Sequence, residues 1–332
     1  MIKNCIKELL FAVIVLCFFS IYGQYTNVIN SNKPGFSESP YSVGRGVYQF
    51  ENNLFFNDAP INSSENNLTS YGLDFLFRTS FFSEKLEINT QIQYQRDEIP
   101  FSSEFTSGLR KFTIGAKYLL FQQEYEDKSK EVRSWKRRNA FDKKRLIPSV
   151  AIYAGLNTDL VNERYRIRNL SPKIGFLLQN NLSNQFNIIT NIFYDKIGTD
   201  FSEISYIITG TINISNRWST FFEHQNTYLN NKSVSNLGSG FAYLLNKNLQ
   251  INTSGRYLFG NNNEGFFAGV GISYRIDKHN NQFKELDSDG KILRNTPISR
   301  YNKEQNRFFN RLFRIFTKDK NKRKKRKRKR NK

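Results

Sequence analysis

Thiols are almost missing from this chain. Its 332 residues hold two cysteines, Cys5 and Cys17, both within the first 23 positions. If that stretch is a removed leader, the mature protein can build neither a disulfide framework nor a thiolate metal site. Histidine is as scarce: His224 and His279 are the whole supply. Two histidines exclude the usual zinc clusters and leave little for a histidine-based triad. No glycine-rich phosphate loop, metal-ligand spacing or nucleophile elbow is present either. Glu223 adjoins His224, but neighbours on a strand point to opposite faces and cannot act together. The inventory predicts no cofactor, no metal and no enzyme, with a carboxylate-only hydrolase as the remaining catalytic option.

Long hydrophobic runs are missing too. The one apolar run, Leu9 to Phe19, follows Lys3 and Lys7 and ends near Ser20 and Gly23. It is short for a membrane-spanning helix and reads as a secretory signal peptide over 1–23, cut after Gly23. Leu16 stands where a lipoprotein signal needs a small residue, which argues against lipidation of Cys17.

The formal charge of +21 is local. Residues 303–332 carry sixteen Lys and Arg against Glu304 and Asp319, a balance of +14. Residues 124–145 carry nine basic against five acidic side chains, a further +4. The remainder is nearly neutral, so the basicity describes a tail and one loop, and nucleic acid is not the expected partner.

What is abundant is alternation. In "LEINTQIQYQRD" (86–97), Leu86, Ile88, Thr90, Ile92 and Tyr94 share one face, and Glu87, Asn89, Gln91, Gln93 and Gln95 the other. A period of two predicts a strand. Twelve such segments follow one another, near 47–57, 68–80, 86–97, 109–121, 147–157, 171–182, 185–197, 203–215, 217–228, 234–245, 249–260 and 265–276. Most run longer than the ordinary 5–6 residues of a globular strand and suit the roughly 9–11 of a transmembrane one. The links at 81–85, 181–185, 215–217 and 246–248 are tight, whereas those at 58–67, 98–108, 158–170 and 198–202 tend to be longer. Short periplasmic turns and long outer loops are the habit of outer-membrane barrels. The stretch 122–145 breaks the rule: it is either a periplasmic insertion or hides further strands. Tyr94, Tyr118, Tyr194, Trp218, Tyr228, Tyr257 and Tyr274 lie towards strand ends, where amphipathic rings mark membrane interfaces.

The polar faces settle which side is wet. Long amides and carboxylates could not be buried unpaired in a dry sandwich core without several kcal/mol of cost, but they suit a water-filled lumen. By alternation Gln49, Glu51, Asp74, Arg78, Glu87, Asn89, Gln91, Gln93, Lys117, Lys173, Asp195, Glu223, Gln250, Asn252 and Arg256 are the candidate lumen residues. They could select solutes or form an interior salt-bridge lattice that stiffens a narrow barrel.

The segment "SNKPGFSESPYSVGRGVYQFENNLFF" (31–56) resembles the opening of a family of Gram-negative outer-membrane barrels labelled meta-pathway phenol-degradation proteins, or transporters. The matching positions are Asn32, Lys33, Pro34, Gly35, Phe36, Ser37, Glu38 and Ser39, then Arg45, Gly46, Gln49 and Glu51; Asn53 stands where the family usually has glycine. "FTIGAKYLL" (112–120), "IPSVAIYAGLNTD" (147–159) and "FFAGVGISYRI" (266–276) are similar to further strands of that family, so the likeness covers 31–276. It implies an outer-membrane barrel admitting small aromatic or apolar solutes, with no catalytic residues. The chain departs from the family by running some 56 residues beyond Ile276.

That extension reads in two parts. Within 306–318, Phe308, Phe309, Leu312, Phe313 and Phe316 form one helical stripe, and Arg307, Arg311, Arg314 and Lys318 another. A basic amphipathic helix of this kind suits an anionic membrane surface or the barrel mouth. The run from Lys318 to Lys332 would attract anionic lipid, lipopolysaccharide or cell-wall polymer. The sequence thus predicts an all-β protein: a signal peptide (1–23), an irregular periplasmic lead-in (24–46), a transmembrane antiparallel up-and-down β-barrel of twelve strands (47–276), a linker (277–302) and a C-terminal basic extension (303–332). Its expected function is a passive channel for small solutes. The rival is a blocked structural barrel that anchors the basic tail.

Overall fold

The computed structural model describes residues 26, 28–60, 67–98, 105–123, 134, 141–167, 170–229, 232–259 and 264–279. The leader and the tail residues, Arg307 to Phe316 among them, lie outside the described residues. Twelve strands form the wall: β1 (Val47–Pro60), β2 (Asn67–Thr79), β3 (Leu86–Glu98), β4 (Phe105–Phe121), β5 (Ser149–Asn157), β6 (Ser171–Asn181), β7 (Phe186–Asp195), β8 (Glu203–Asn213), β9 (Trp218–Leu229), β10 (Lys232–Asn246), β11 (Leu249–Phe259) and β12 (Glu264–Asp277). Each pairs antiparallel with its sequence neighbours, and β1 pairs with β12 from Val47–Asp277 to Asp58–Phe266. The sheet is closed, so no strand edge is left unpaired.

Alternation sorts the two faces as the sequence predicts. Leu54, Ile114, Phe176, Phe222, Leu237 and Val270 are exposed on the outside, while their neighbours Asn53, Gly115, Leu177, Glu223, Gly238 and Gly271 turn in. An apolar exterior over closed, fully hydrogen-bonded strands is what hydrocarbon demands. Tyr94, Tyr194, Trp218, Tyr228, Tyr257 and Tyr274 are all exposed near strand ends. Trp218 meets Tyr243 at 4.7 Å between ring centroids.

β4 pairs directly with β5, so no other strand stands between them in the wall. Lys143–Leu146 forms one short 3-10 turn there, capped by the Asp142 side chain. Because successive strands are antiparallel, this connection and the four tight turns share the end of the barrel where β1 begins.

One expectation is overturned. The sequence places 24–46 in the periplasm as a lead-in; in the structure residues 28–46 run inside the barrel. Ile29 N bonds to Lys247 O at the β10–β11 turn, the chain rises to Phe36, and it returns past β6 and β5 to enter β1. The reason is chemical. A Ser-, Asn- and Gly-rich loop has backbone groups to satisfy, and the wall supplies buried carboxylates and amides to satisfy them.

Candidate functional site: a barrel lumen crossed by its own N-terminal loop

Three wall carboxylates hold the loop by its backbone. Glu51 Oε2 accepts from Ser31 Oγ at 2.8 Å and from the N–H groups of Asn32 and Lys33, each at 3.1 Å. Glu223 Oε2 accepts from Phe36 N at 3.0 Å and Ser37 N at 3.2 Å. Glu87 Oε2 accepts from Val43 N at 2.9 Å. Charge-assisted bonds of this kind are roughly twice as strong as neutral ones.

Wall donors meet the loop's carbonyls in turn. Arg78 Nη1 and Gln49 Nε2 donate to Asn30 O at 2.9 and 3.0 Å, and Gln250 Nε2 to Lys33 O at 3.0 Å. Arg256 Nη2 donates to Pro34 O at 3.1 Å and Lys117 Nζ to Ser39 O at 2.7 Å. Asn191 closes a reciprocal pair with Glu38, accepting from its N–H at 2.7 Å and donating to its C=O at 2.8 Å. Lys33 reaches across to the Asp74 carboxylate.

Behind these contacts lies an ion lattice. Arg78 bridges Glu51 at 3.1 Å and Glu87 at 2.8 Å, and Lys117 joins Glu87 at 3.1 Å; none of these four side chains is more than 1% exposed. Arg256 pairs with Glu223 at 3.1 Å, both 1% exposed. Lys173 lies 3.8 Å from Asp195 and 4.3 Å from the Phe193 ring centroid.

Every candidate lumen residue therefore turns inward. Gln49, Glu51, Asp74, Arg78, Glu87, Lys117, Glu223, Gln250 and Arg256 engage the loop or one another, and Asn191, which was not among the candidates, engages the loop as well. Asn89 faces Tyr153 Oη at 3.4 Å, Gln91 bonds Asp74 at 3.0 Å, and Gln93 bonds Gln95 at 3.2 Å. Asn252 is buried beside Gly271, opposite Asn53. Sequence reasoning missed Lys33, Phe36 and Tyr41, because it assigned their segment to the periplasm. It also missed an apolar patch on the inner wall: Leu119, Ala151, Tyr153, Leu177, Phe193 and Ile207, covered by Tyr41 and Phe36 of the loop. His224, as expected, points away from Glu223 and lies 5.6 Å from the Tyr206 ring.

The loop divides the lumen into two chambers. The inner one, about 470 Å³, is lined by loop residues 28–35 and by neutral side chains such as Asn187, Thr209 and Thr211. The outer one, about 560 Å³, is lined by Phe36, Phe55, Phe267, Arg110, Lys111 and Tyr165 among others. Gly72 is what allows Phe55 to lie flat on the wall: a Cβ there would meet the ring at 2.3 Å. Tyr165, on the β5–β6 loop, donates to Asp97 at 2.9 Å. Desolvation and that bond push its phenol pKa well above the usual value, so it is neutral at ordinary pH. Among the described residues no three His, Cys, Asp or Glu gather as a metal site.

One solved structure shows the same fold, and others are more distantly similar. The solved structure of an outer membrane channel from Pseudomonas putida F1 superposes with a TM-score of 0.51 at 9% identity, covering 75% of this chain and 100% of that one. A monoaromatic hydrocarbon channel, CymD, matches with a TM-score of 0.41 at 9% identity, over 72% of this chain and 90% of that one. The KdgM porin gives 0.46 at 8% identity, over 69% and 99%. No curated protein sequence matches. The model of one family covers residues 31–276, from the loop that crosses the lumen to the last strand, and the chain belongs to that family, described as "Putative MetA-pathway of phenol degradation".

Proposed function

We propose that the protein is an outer-membrane channel through which small solutes diffuse passively, narrowed by its own N-terminal loop. The observation that carries the reading is a closed barrel with an apolar exterior and a lumen that holds two chambers of about 470 and 560 Å³. A barrel that served only as a membrane anchor would need no such chambers. The aromatic side chains around the outer chamber suit solutes with an apolar ring, in keeping with the family's description. The signal peptide expected at 1–23 would supply export.

A specific observation favours the rival reading as well. The loop makes charge-assisted bonds along most of its length, as a permanent stopper would, and a blocked barrel could serve to anchor the basic tail at the envelope. Reconstitution separates the two. Liposomes bearing the refolded protein should swell in isotonic solutions of small solutes and admit phenol-sized molecules. Liposomes no leakier than empty ones, with the protein folded, would leave the anchor.

A further inference from the structure

We propose that the end of the β4–β5 connection, residues 141–147, is a docking site for an anionic phospholipid on the outside of the barrel. Lys143 and Lys144 meet the headgroup phosphate, and Leu146 and Ile147 meet the start of the acyl chains. The site is separate from the lumen and from whatever solute the lumen carries.

This segment is fastened to the wall. Asp142 caps the Lys143–Leu146 turn by accepting from Lys144 N at 3.1 Å. Arg145 donates through Nη1 to Asn181 O at 3.0 Å and through Nη2 to Asn184 Oδ1 at 3.1 Å. Gln123 Nε2 donates to Lys144 O at 2.7 Å and Asn180 Nδ2 to Leu146 O at 2.9 Å. Asn180 faces outward, since its neighbour Gln179 turns into the lumen and accepts from Ser39. The turn is therefore held against the lipid side of β6.

What the fastened turn leaves uncovered is apolar and cationic. None of its residues is buried. Phe141, Leu146 and Ile147 are each more than half exposed. β4 and β5 slip register between Leu119–Ala151 and Phe121–Val150, leaving Leu120 as an extra residue, and both Leu120 and Phe121 come to the surface. Within 141–147 Asp142 balances Arg145, so the charge left over is that of Lys143 and Lys144. Both are exposed, and neither side chain makes an ion pair or hydrogen bond with any described residue.

The level of the turn in the membrane points to lipid. Amphipathic rings mark the interface elsewhere at this end of the barrel: Tyr48 on β1, Trp218 on β9, Tyr243 on β10 and Tyr274 on β12. β5 and β6 present Val150, Leu178 and Asn180 outward there and no ring. Phe141, Leu146 and Ile147 take that place. Apolar side chains at the headgroup boundary with cations beside them are the means by which interfacial elements hold anionic lipid. The lysine stems let the ammonium groups reach the phosphate level. A zwitterionic headgroup brings its own cation and answers only the apolar half of the site.

The test is lipid selection by the full-length chain refolded into phosphatidylcholine bilayers. Trp135→Phe/Trp218→Phe/Leu146→Trp puts the single tryptophan on the turn, where brominated lipid quenches it on contact. Brominated phosphatidylglycerol should quench at least about threefold more effectively than the same minor fraction of brominated phosphatidylcholine, and the preference should shrink in high salt. Adding Lys143→Gln/Lys144→Gln should abolish it, although the charge of the C-terminal tail is unchanged. Equal quenching by the two lipids, or a preference that survives the lysine substitutions, would overturn the proposal. Should the tryptophan variant not form a closed barrel, native mass spectrometry of the unaltered chain and of Lys143→Gln/Lys144→Gln, each from an equimolar lipid mixture, decides. The variant should retain fewer phosphatidylglycerol molecules; identical retention would overturn the proposal.

Discussion

The Glu223–Arg256 pair reports how dry the centre of this barrel is. Both side chains are 1% exposed and 3.1 Å apart, and Glu223 also accepts from two loop N–H groups and from Thr209 Oγ1 at 2.9 Å. In Glu223→Gln an oxygen acceptor for Phe36 and Ser37 survives, but Arg256 becomes an unpaired buried cation. In Arg256→Met the stem is kept and the carboxylate is stranded. Removing one partner of a desolvated pair costs about 3–5 kcal/mol, whereas an exposed pair is worth about 0.2–1 kcal/mol. Each single variant should therefore lose about 3–5 kcal/mol, and the double variant much less than their sum, because no lone charge remains. Reversible urea unfolding in lipid or detergent, followed by tryptophan fluorescence, measures all three. Single losses below about 1 kcal/mol, or strictly additive losses, would show that water reaches the pair and that the loop does not seal this level of the lumen.

Val270, near the middle of β12 and 60% exposed, should lose about 2–4 kcal/mol on Val270→Arg in a bilayer, while outward positions at the strand ends should tolerate Arg better; equal penalties in unfolding titrations would mean that the apolar face does not meet lipid. Gly72→Ala should cost about 1–3 kcal/mol, since its Cβ would meet Phe55 at 2.3 Å and Tyr94 O at 2.5 Å, and Gly72→Ala/Phe55→Leu should regain part of it on the same assay. Deleting 303–332 removes none of the twelve wall strands and leaves the β1–β12 seam intact, so the truncated chain should still show the faster unboiled gel migration of a closed barrel.

The wall was legible because its grammar is local. Each strand writes its two faces in a period of two, so Glu87, Asn89 and Gln91 separate from Ile88, Thr90 and Ile92 without knowledge of any other strand. The loop was not legible for the opposite reason. Residues 28–46 have no period, and what fixes them is backbone bonding to Glu51, Glu87 and Glu223, which lie 18 to 187 positions from the loop residues they hold. One hint was present. Glu51 has Leu76 and Ser273 directly across from it, and Arg78 and Gln49 of the wall both donate to its Oε1, so its Oε2 is left for donors from outside the sheet. The Pro-, Gly- and Ser-rich motif that carries the family likeness at 32–39 is the part of the loop that supplies them. The Leu120 bulge was hidden as well, since slipped register belongs to a pair of strands and not to either sequence alone.

The central claim, that a membrane-spanning barrel is narrowed by its own N-terminal loop, is tested most directly by planar-bilayer conductance of the refolded full-length chain beside a form lacking residues 28–43, both confirmed as folded barrels by gel mobility. The account predicts small or rare conductance steps for the full-length chain and larger, steadier ones once the loop is gone. Identical steps from the two proteins would contradict it.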